Sequence, residues 1–251
     1  MFPMRLFPDT ILSEITKSLS KNQFEGIKLE FDPGPTNKID TSTAEEFKSI
    51  VYKVSPSIVR IATSRCGSKK YAFGSGSVVA PGLVITNQHV INGATSIYIV
   101  SQTGSYPAAP VLIDEKLDLA IIYSKYINLK PIPISTDEVD IGSEAITLGY
   151  PGSNNLALSM SVGTIKENTI NSRHTNLDPT STFSLSSSLG SGSSGGPVIN
   201  KKGEIIGIND AGSGNNLIAI KAEVAKKITD QAKNKLFPAF SLICAYDRIS
   251  Y

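Results

Sequence analysis

The segment Gly192-Ser193-Ser194-Gly195-Gly196-Pro197 places a serine hydroxyl in a run of small residues, where backbone N–H groups can converge on a reacting oxygen. That arrangement suits acyl transfer, with a side-chain nucleophile and an oxyanion site built from main chain. A serine hydroxyl is a poor nucleophile at neutral pH; it needs a base, and the base needs an acid to orient it. Candidates for both come earlier: His89 in Thr86-Asn87-Gln88-His89-Val90 and Asp118 in Leu117-Asp118-Leu119-Ala120. In those roles His89 takes the Ser194 proton and returns it to the leaving amine, while Asp118 holds the imidazole tautomer. The backbone N–H groups of Gly192 and Ser194 bind the developing oxyanion.

Each piece alone is ordinary. A histidine at a strand end is usually a half-buried polar residue, an aspartate before an apolar strand a turn residue, and a Gly/Ser run a loop. The order His, Asp, Ser, with each in its own local signature, makes the combination a strong signal. His174 is the other histidine; it falls in the polar segment Asn171 to Asn176 and reads as solvated.

The elements that must position these residues read as short strands between turns. From about residue 50 the apolar, β-branched stretches are Ser57 to Ala62, Gly76 to Ala80, Leu83 to Thr86, Ser96 to Val100 and Leu119 to Tyr123. After the Pro-containing stretch Lys130 to Pro133 come Glu144 to Leu148, Ser159 to Ile165, Thr182 to Leu185, Pro197 to Ile199, Ile205 to Ile208 and Leu217 to Ile220. Many short strands with regular turns indicate an all-β fold, barrel or sandwich, and not a parallel α/β sheet. Lys201-Lys202-Gly203 is a good hairpin turn. Residues 222–236 turn helical, with Val224, Ala225, Ile228 and Ala232 on one face. Residues 1–45 read as an N-terminal extension: a short helix after Asp9 carrying Ile11, Leu12, Ile15 and Leu19, then a linker from Asp32 to Lys38. Residues 237–251 form a tail.

Composition narrows the classes. The 251 residues carry a formal charge of +2 with acids and bases intermixed, which argues against nucleic acid as the main partner. No apolar run is long enough to span a membrane, and no secretory h-region opens the chain, so it either avoids that route or begins after processing. Cys66 and Cys244 match no metal-ligand spacing and read as two unrelated reduced thiols, so neither a metal nor another cofactor is expected.

Larger blocks carry a resemblance. They are Phe73-Gly74-Ser75-Gly76-Ser77-Val78-Val79, Leu83 to Val90, Leu117 to Ile122, Leu148-Gly149-Tyr150-Pro151-Gly152, Gly192 to Pro197 and Gly203 to Asn209. With them the chain resembles a chymotrypsin-fold serine protease, specifically the HtrA/Deg group of trypsin-like peptidases, over about residues 50–230. The resemblance implies two six-stranded antiparallel β-barrels, about 50–133 and 140–222, with the C-terminal helix completing a protease domain of 46–236 and the site between the barrels. It implies polypeptide substrates, unfolded or damaged proteins among them, and a homo-oligomer, often a trimer, assembled through the N-terminal segment.

Departures from the family pattern are expected to matter unequally. These residues leave no room for the PDZ domain that usually follows, so peptide sensing by that route is expected to be absent. Ser193 replaces the usual Asn without changing a backbone donor. Phe183 to Gly190 replaces a more polar segment lining the specificity pocket. The pocket floor falls near Ser188, with Leu189 beside it; no carboxylate is there, and Asn209 stands where glutamyl-specific relatives have histidine. Small or medium apolar side chains are therefore expected at the cleaved position. The peptide would add as a strand beside Asn209, Asp210, Ala211 and Gly212. Position 210 usually carries a hydroxyl that bonds to the catalytic Asp; two carboxylates there would repel and one could keep a proton, so the Asp210 side chain is expected to point elsewhere and to shape activity or its pH dependence without being essential. The competing reading is a protease-fold binding or chaperone-like module whose serine-rich oxyanion loop is held inactive.

Overall fold

The structure, a computed structural model, describes residues 30–32, 41–65, 71–152, 157–168, 178–187 and 189–235. The expected helix after Asp9, the linker from residue 33, Cys66, His174, Ser188, Cys244 and the tail lie outside the described residues.

The first elements are a three-residue strand β1 (Glu30–Asp32) and a helix α1 (Thr41–Val54). Then come β2 (Ile58–Arg65), β3 (Tyr71–Ala80), β4 (Leu83–Asn87), a single helical turn α2 (Gln88–Ile91), β5 (Ala94–Ser101), β6 (Gly104–Asp114) and β7 (Leu119–Tyr123). These six longer strands close into a barrel in the order β2-β3-β4-β7-β6-β5, every pair antiparallel. Alternation along the strands makes two apolar faces. Val59 and Ile61, Ile97 and Ile99, Ala120 and Ile122 fall in one buried cluster. Ile58, Ile85, Leu119 and Ile121, with the opposite phase, fall in another. Burial on both faces explains why β4 and β7 read as unbroken apolar runs rather than alternating ones.

The second half contains β8 (Glu144–Gly149), β9 (Ser159–Glu167), β10 (Thr182–Leu185), β11 (Pro197–Ile199), β12 (Ile205–Ser213), β13 (Asn216–Lys221) and the helix α3 (Ala222–Lys233). Strand order is β9-β10-β13-β12-β11-β8, and pairing of β8 with β9 closes the second six-stranded barrel; β1 adds to β9 in parallel. Among the described residues, no helix is long and apolar enough to cross a membrane.

One apolar cluster ties the halves together. It contains Phe47 and Val51 of α1, Ile85 and Ile121 of the first barrel, Ile146 and Ile220 of the second, and Ala225 and Ile228 of α3. A cleft between two barrels keeps its geometry only if the barrels cannot slide, and close-packed apolar contact supplies that resistance. Three of the four residues expected on the buried face of α3 are buried, and Val224 packs partly against the same cluster.

Three elements differ from the expectation: β1, β6 and α1. β6 is absent from the strands expected from the sequence; Pro107 and Pro110 interrupt it, yet it lies between β5 and β7. Proline removes one ladder donor, and the neighbours on both sides outweigh that loss. Helix α1 also went unread, although Phe47, Ile50, Val51 and Val54 repeat at helical spacing; Phe47 is fully buried. Phe47→Ala should cost about 3–5 kcal/mol of unfolding free energy in urea denaturation. A loss under about 1 kcal/mol would show that α1 is not part of the cooperative unit.

Candidate active site

His89 lies in the single turn α2 that follows β4, and Asp118 ends the turn before β7, so pairing of β4 with β7 brings them together. Asp118 then engages the His89 turn four times. Its Oδ1 accepts from the His89 backbone N–H at 2.8 Å, and Oδ2 pairs with His89 Nδ1 at 2.6 Å. Its backbone carbonyl accepts from Gln88 N–H at 3.1 Å and from Asn87 Nδ2 at 2.9 Å. Asp118 holds a left-handed φ of +46°, the only described non-glycine residue with positive φ. Such a conformation persists where surrounding bonds over-determine it, and these four do so.

The electrostatics of His89 follow from its neighbours. Burial lowers its pKa, but the hydrogen bond and charge of Asp118, together with the charge of Asp210, raise it above the ordinary histidine value. The ring remains 48% exposed on its cleft side, while the Asp118 side chain is 5% exposed. A buried carboxylate fixing Nδ1 of a solvent-reaching imidazole leaves Nε2 as the nitrogen available for proton transfer.

Ser194 lines the same cleft as His89 and Asp118. Its hydroxyl donates to the backbone carbonyl of Asp210 at 3.2 Å. The segment around Ser194 is anchored from three sides. Gly152 N–H donates to Ser191 O at 2.7 Å, Ser75 Oγ donates to Gly192 O at 2.9 Å, and Gly195 N–H donates to Asn209 O at 2.9 Å. The backbone N–H groups of Gly192 and Ser194 have no acceptor among the described residues. Two free N–H groups beside a serine hydroxyl are what an oxyanion site requires. Gly192 has φ +100°, and a Cβ there would come within 2.8 Å of Tyr150 O; Gly195 has φ +83°, and its Cβ would come within 2.3 Å of Ser75 O. Neither position tolerates a side chain.

The sequence reading gave no role to Ser75 or Arg60. Ser75 is fully buried on β3 of the first barrel, yet it holds the oxyanion segment of the second. Besides donating to Gly192, its Oγ accepts from Tyr150 N–H at 2.9 Å, and its backbone N–H donates to Ser194 O at 2.8 Å. The Arg60 guanidinium stacks 3.8 Å from the Phe73 ring centroid and donates to Gly152 O at 3.3 Å. Burial lowers its pKa to about 10. A buried serine inside a Gly-Ser-Gly strand carries no local signal of its long-range partners.

The chain was compared with known proteins. The family model for the trypsin-like peptidase domain matches residues 74–208, more than half of the 251. The chain belongs to the trypsin-like peptidase family. It is similar to a probable periplasmic serine endoprotease, DegP-like, of Chlamydia pneumoniae, 34% identical over 173 residues that span 65% of this chain and 35% of that protein. It is also similar to the serine endoprotease DegS of Haemophilus influenzae, 29% identical over 65% of this chain and 51% of that one. It therefore spans about a third to a half of the length of these curated relatives. In fold it is similar to the Rv3671c protease from M. tuberculosis, active form, with TM-score 0.70 and 18% identity over 95% of this chain and 96% of that one. The serine endoprotease from Yersinia pestis gives TM-score 0.63 at 26% identity, over 79% and 67% of the two chains.

Within this peptidase cleft, Leu189, Asn209, Asp210, Ala211 and Gly212 all contribute to the lining, as does Leu217, which the sequence reading did not single out. Asn209 is buried and donates from Nδ2 to Leu148 O at 3.2 Å and Ser193 O at 3.4 Å, so its side chain braces the loop. The expectation for Asp210 is corrected. Its carboxylate does not turn away: an oxygen of Asp210, a nitrogen of His89 and an oxygen of Asp118 lie within 4.8 Å of one another. A break in the β12–β13 register between Asn209 and Ala211 makes Asp210 the extra residue of a bulge, which re-aims its side chain toward the cleft. Replacing Ser75 by Ala leaves the half-buried Gly192 carbonyl without its donor. Urea denaturation should show a loss of about 1–3 kcal/mol. An unchanged midpoint would mean that this bond contributes nothing to the joint between barrels.

Proposed function

We propose that the chain is a serine endopeptidase that uses Ser194, His89 and Asp118 as its nucleophile, base and orienting acid. The observation that carries the reading is the 2.6 Å pair between His89 Nδ1 and buried Asp118 at the cleft that Ser194 also lines, with the N–H groups of Gly192 and Ser194 lacking an acceptor among the described residues. Ser194 Oγ attacks the substrate carbonyl carbon as His89 takes its proton. The tetrahedral oxyanion sits between the N–H groups of Gly192 and Ser194. His89, held by Asp118, then protonates the leaving amine, and a water activated by the same imidazole hydrolyses the acyl-enzyme.

The substrate backbone adds to the edge of β12. β11 pairs with β12 only through Ile208, which leaves Asp210 to Gly212 without a strand on that side among the described residues. Those residues line the cleft. Leu189 and the buried Leu217 give the pocket apolar walls, which suits small or medium apolar side chains at the cleaved position. We extend the proposal to unfolded or damaged polypeptides as substrates, to a protease domain spanning residues 46–236, and to oligomer formation through residues 1–45.

One observation favours a resting form of the same site. Ser194 donates to the Asp210 carbonyl, so a protease-fold module that binds peptide without turnover is the second reading. A fluorophosphonate probe separates the two: wild-type protein is labelled, and Ser194→Ala is not. Asp118→Asn should lower turnover on the order of 10⁴-fold by releasing the imidazole tautomer. Peptides cleaved after Val or Ala should be preferred to those with Arg or Glu. Unlabelled wild-type protein contradicts the enzyme reading, and preference for Arg or Glu contradicts the pocket reading.

A further inference from the structure

The bulge on β12 gives Asp210 two connections to the site. Its carboxylate belongs to the group that lies within 4.8 Å of the polar atoms of His89 and Asp118, and its carbonyl accepts the Ser194 hydroxyl at 3.2 Å. The side chain is buried, at 4% exposure. A nucleophile with Ser, His and Asp in sequence needs one carboxylate; here the imidazole has two. The separation of 2.6 Å between His89 Nδ1 and Asp118 Oδ2 is a hydrogen bond, shorter than the roughly 3.3 Å between ligand atoms around a tetrahedral zinc ion. The cluster as it stands hydrogen-bonds one carboxylate to the imidazole and sets a second within 4.8 Å.

We propose that Asp210 is a second acidic positioning residue for His89, one that holds the base as an imidazolium and keeps the serine at rest until that proton leaves. The inference rests on the reading of His89 as the general base. An imidazolium has no lone pair to accept the Ser194 proton, and the hydroxyl then makes the bond seen here, to the carbonyl of Asp210 itself. One residue thus stabilises the charged base through its side chain and holds the nucleophile through its main chain. Loss of the His89 proton frees Nε2 as an acceptor and lets the hydroxyl turn to it.

Among the described residues, few other charged side chains line the cleft. Glu115 and Lys116 lie in the same turn as Asp118, on the cleft wall, and carry opposite signs. The oxyanion segment from Leu189 to Gly196 has no ionisable side chain, and Arg60 of β2 turns to Gly152. Asp118 and Asp210 are the charges that raise the His89 pKa. A base that must be neutral to act works only above its pKa, so the second carboxylate moves the onset of activity to higher pH.

Proton NMR of the full chain tests this directly, because it has two histidines and His174→Ala assigns the signals. In Asp210→Asn the His89 titration midpoint should fall by about 0.5–2 pH units, the range for one charge at about 5 Å between water-like and protein-like screening. Asp210→Ser removes the same charge and serves if the amide variant does not fold. Below the wild-type midpoint, fluorophosphonate labelling of the variant should run about 3- to 100-fold faster than that of wild type, and at high pH the two rates should converge. A residue with a purely structural role would lower labelling equally at all pH values. An unchanged or raised His89 midpoint overturns the proposal. If no labelling occurs while the midpoint still falls, the nucleophile reading fails and the link between Asp210 and His89 stands.

Discussion

The hydroxyl of Ser75 is the joint on which the site depends. It sits on the first barrel, donates to the carbonyl of Gly192 and accepts from the N–H of Tyr150, both in loops of the second. His89 and Asp118 belong to the first barrel, whereas Gly192 and Ser194 belong to the second. Apolar packing resists sliding but carries no direction, whereas a buried hydrogen bond fixes orientation within a few tenths of an ångström. The neighbouring contacts extend the joint: Thr86 Oγ1 donates to Ser75 O at 2.7 Å, just before the His89 turn. A single residue thus touches the strand leading to the base and the loop carrying the nucleophile.

The same joint explains why the oxyanion segment tolerates so little. Its carbonyls are taken by Gly152, Ser75 and the loop itself, and the N–H groups of Gly192 and Ser194 have no acceptor among the described residues. Preorganised donors need no rearrangement when charge develops, and this is where much of a transition state's stabilisation arises. The positive φ of Gly192 and Gly195 follows from the close approach of Tyr150 and Ser75. Asp118 shows the complementary device: a strained backbone held by four bonds so that two carboxylate oxygens face one turn.

Much of this was legible from residue order. The strands with β-branched runs, Leu119 to Tyr123, Thr182 to Leu185 and Pro197 to Ile199, appear with the expected bounds. Local propensity and pattern dominate in such short, buried segments. The structure brings His89 and Asp118 together as their local signatures suggested, because β4 pairs with β7. Three features were hidden for physical reasons. β6 carries prolines whose cost is outweighed only by neighbours distant in sequence. The bonds of Ser75 span 75 and 117 positions, beyond any local pattern. The direction of the Asp210 side chain depends on a bulge, and a one-residue shift in register reverses which face a side chain takes.

The proposed mechanism requires a Ser75-anchored segment to present the Gly192 and Ser194 N–H groups to the oxygen of a reacting carbonyl. A crystal structure of the phosphonylated protein tests it most directly. The account predicts a phosphonyl oxygen at about 2.7–3.1 Å from both backbone nitrogens. The Ser75 Oγ to Gly192 O bond should remain intact in that adduct. An adduct on another residue, or a phosphonyl oxygen turned to solvent with the Ser75 bond broken, would contradict it.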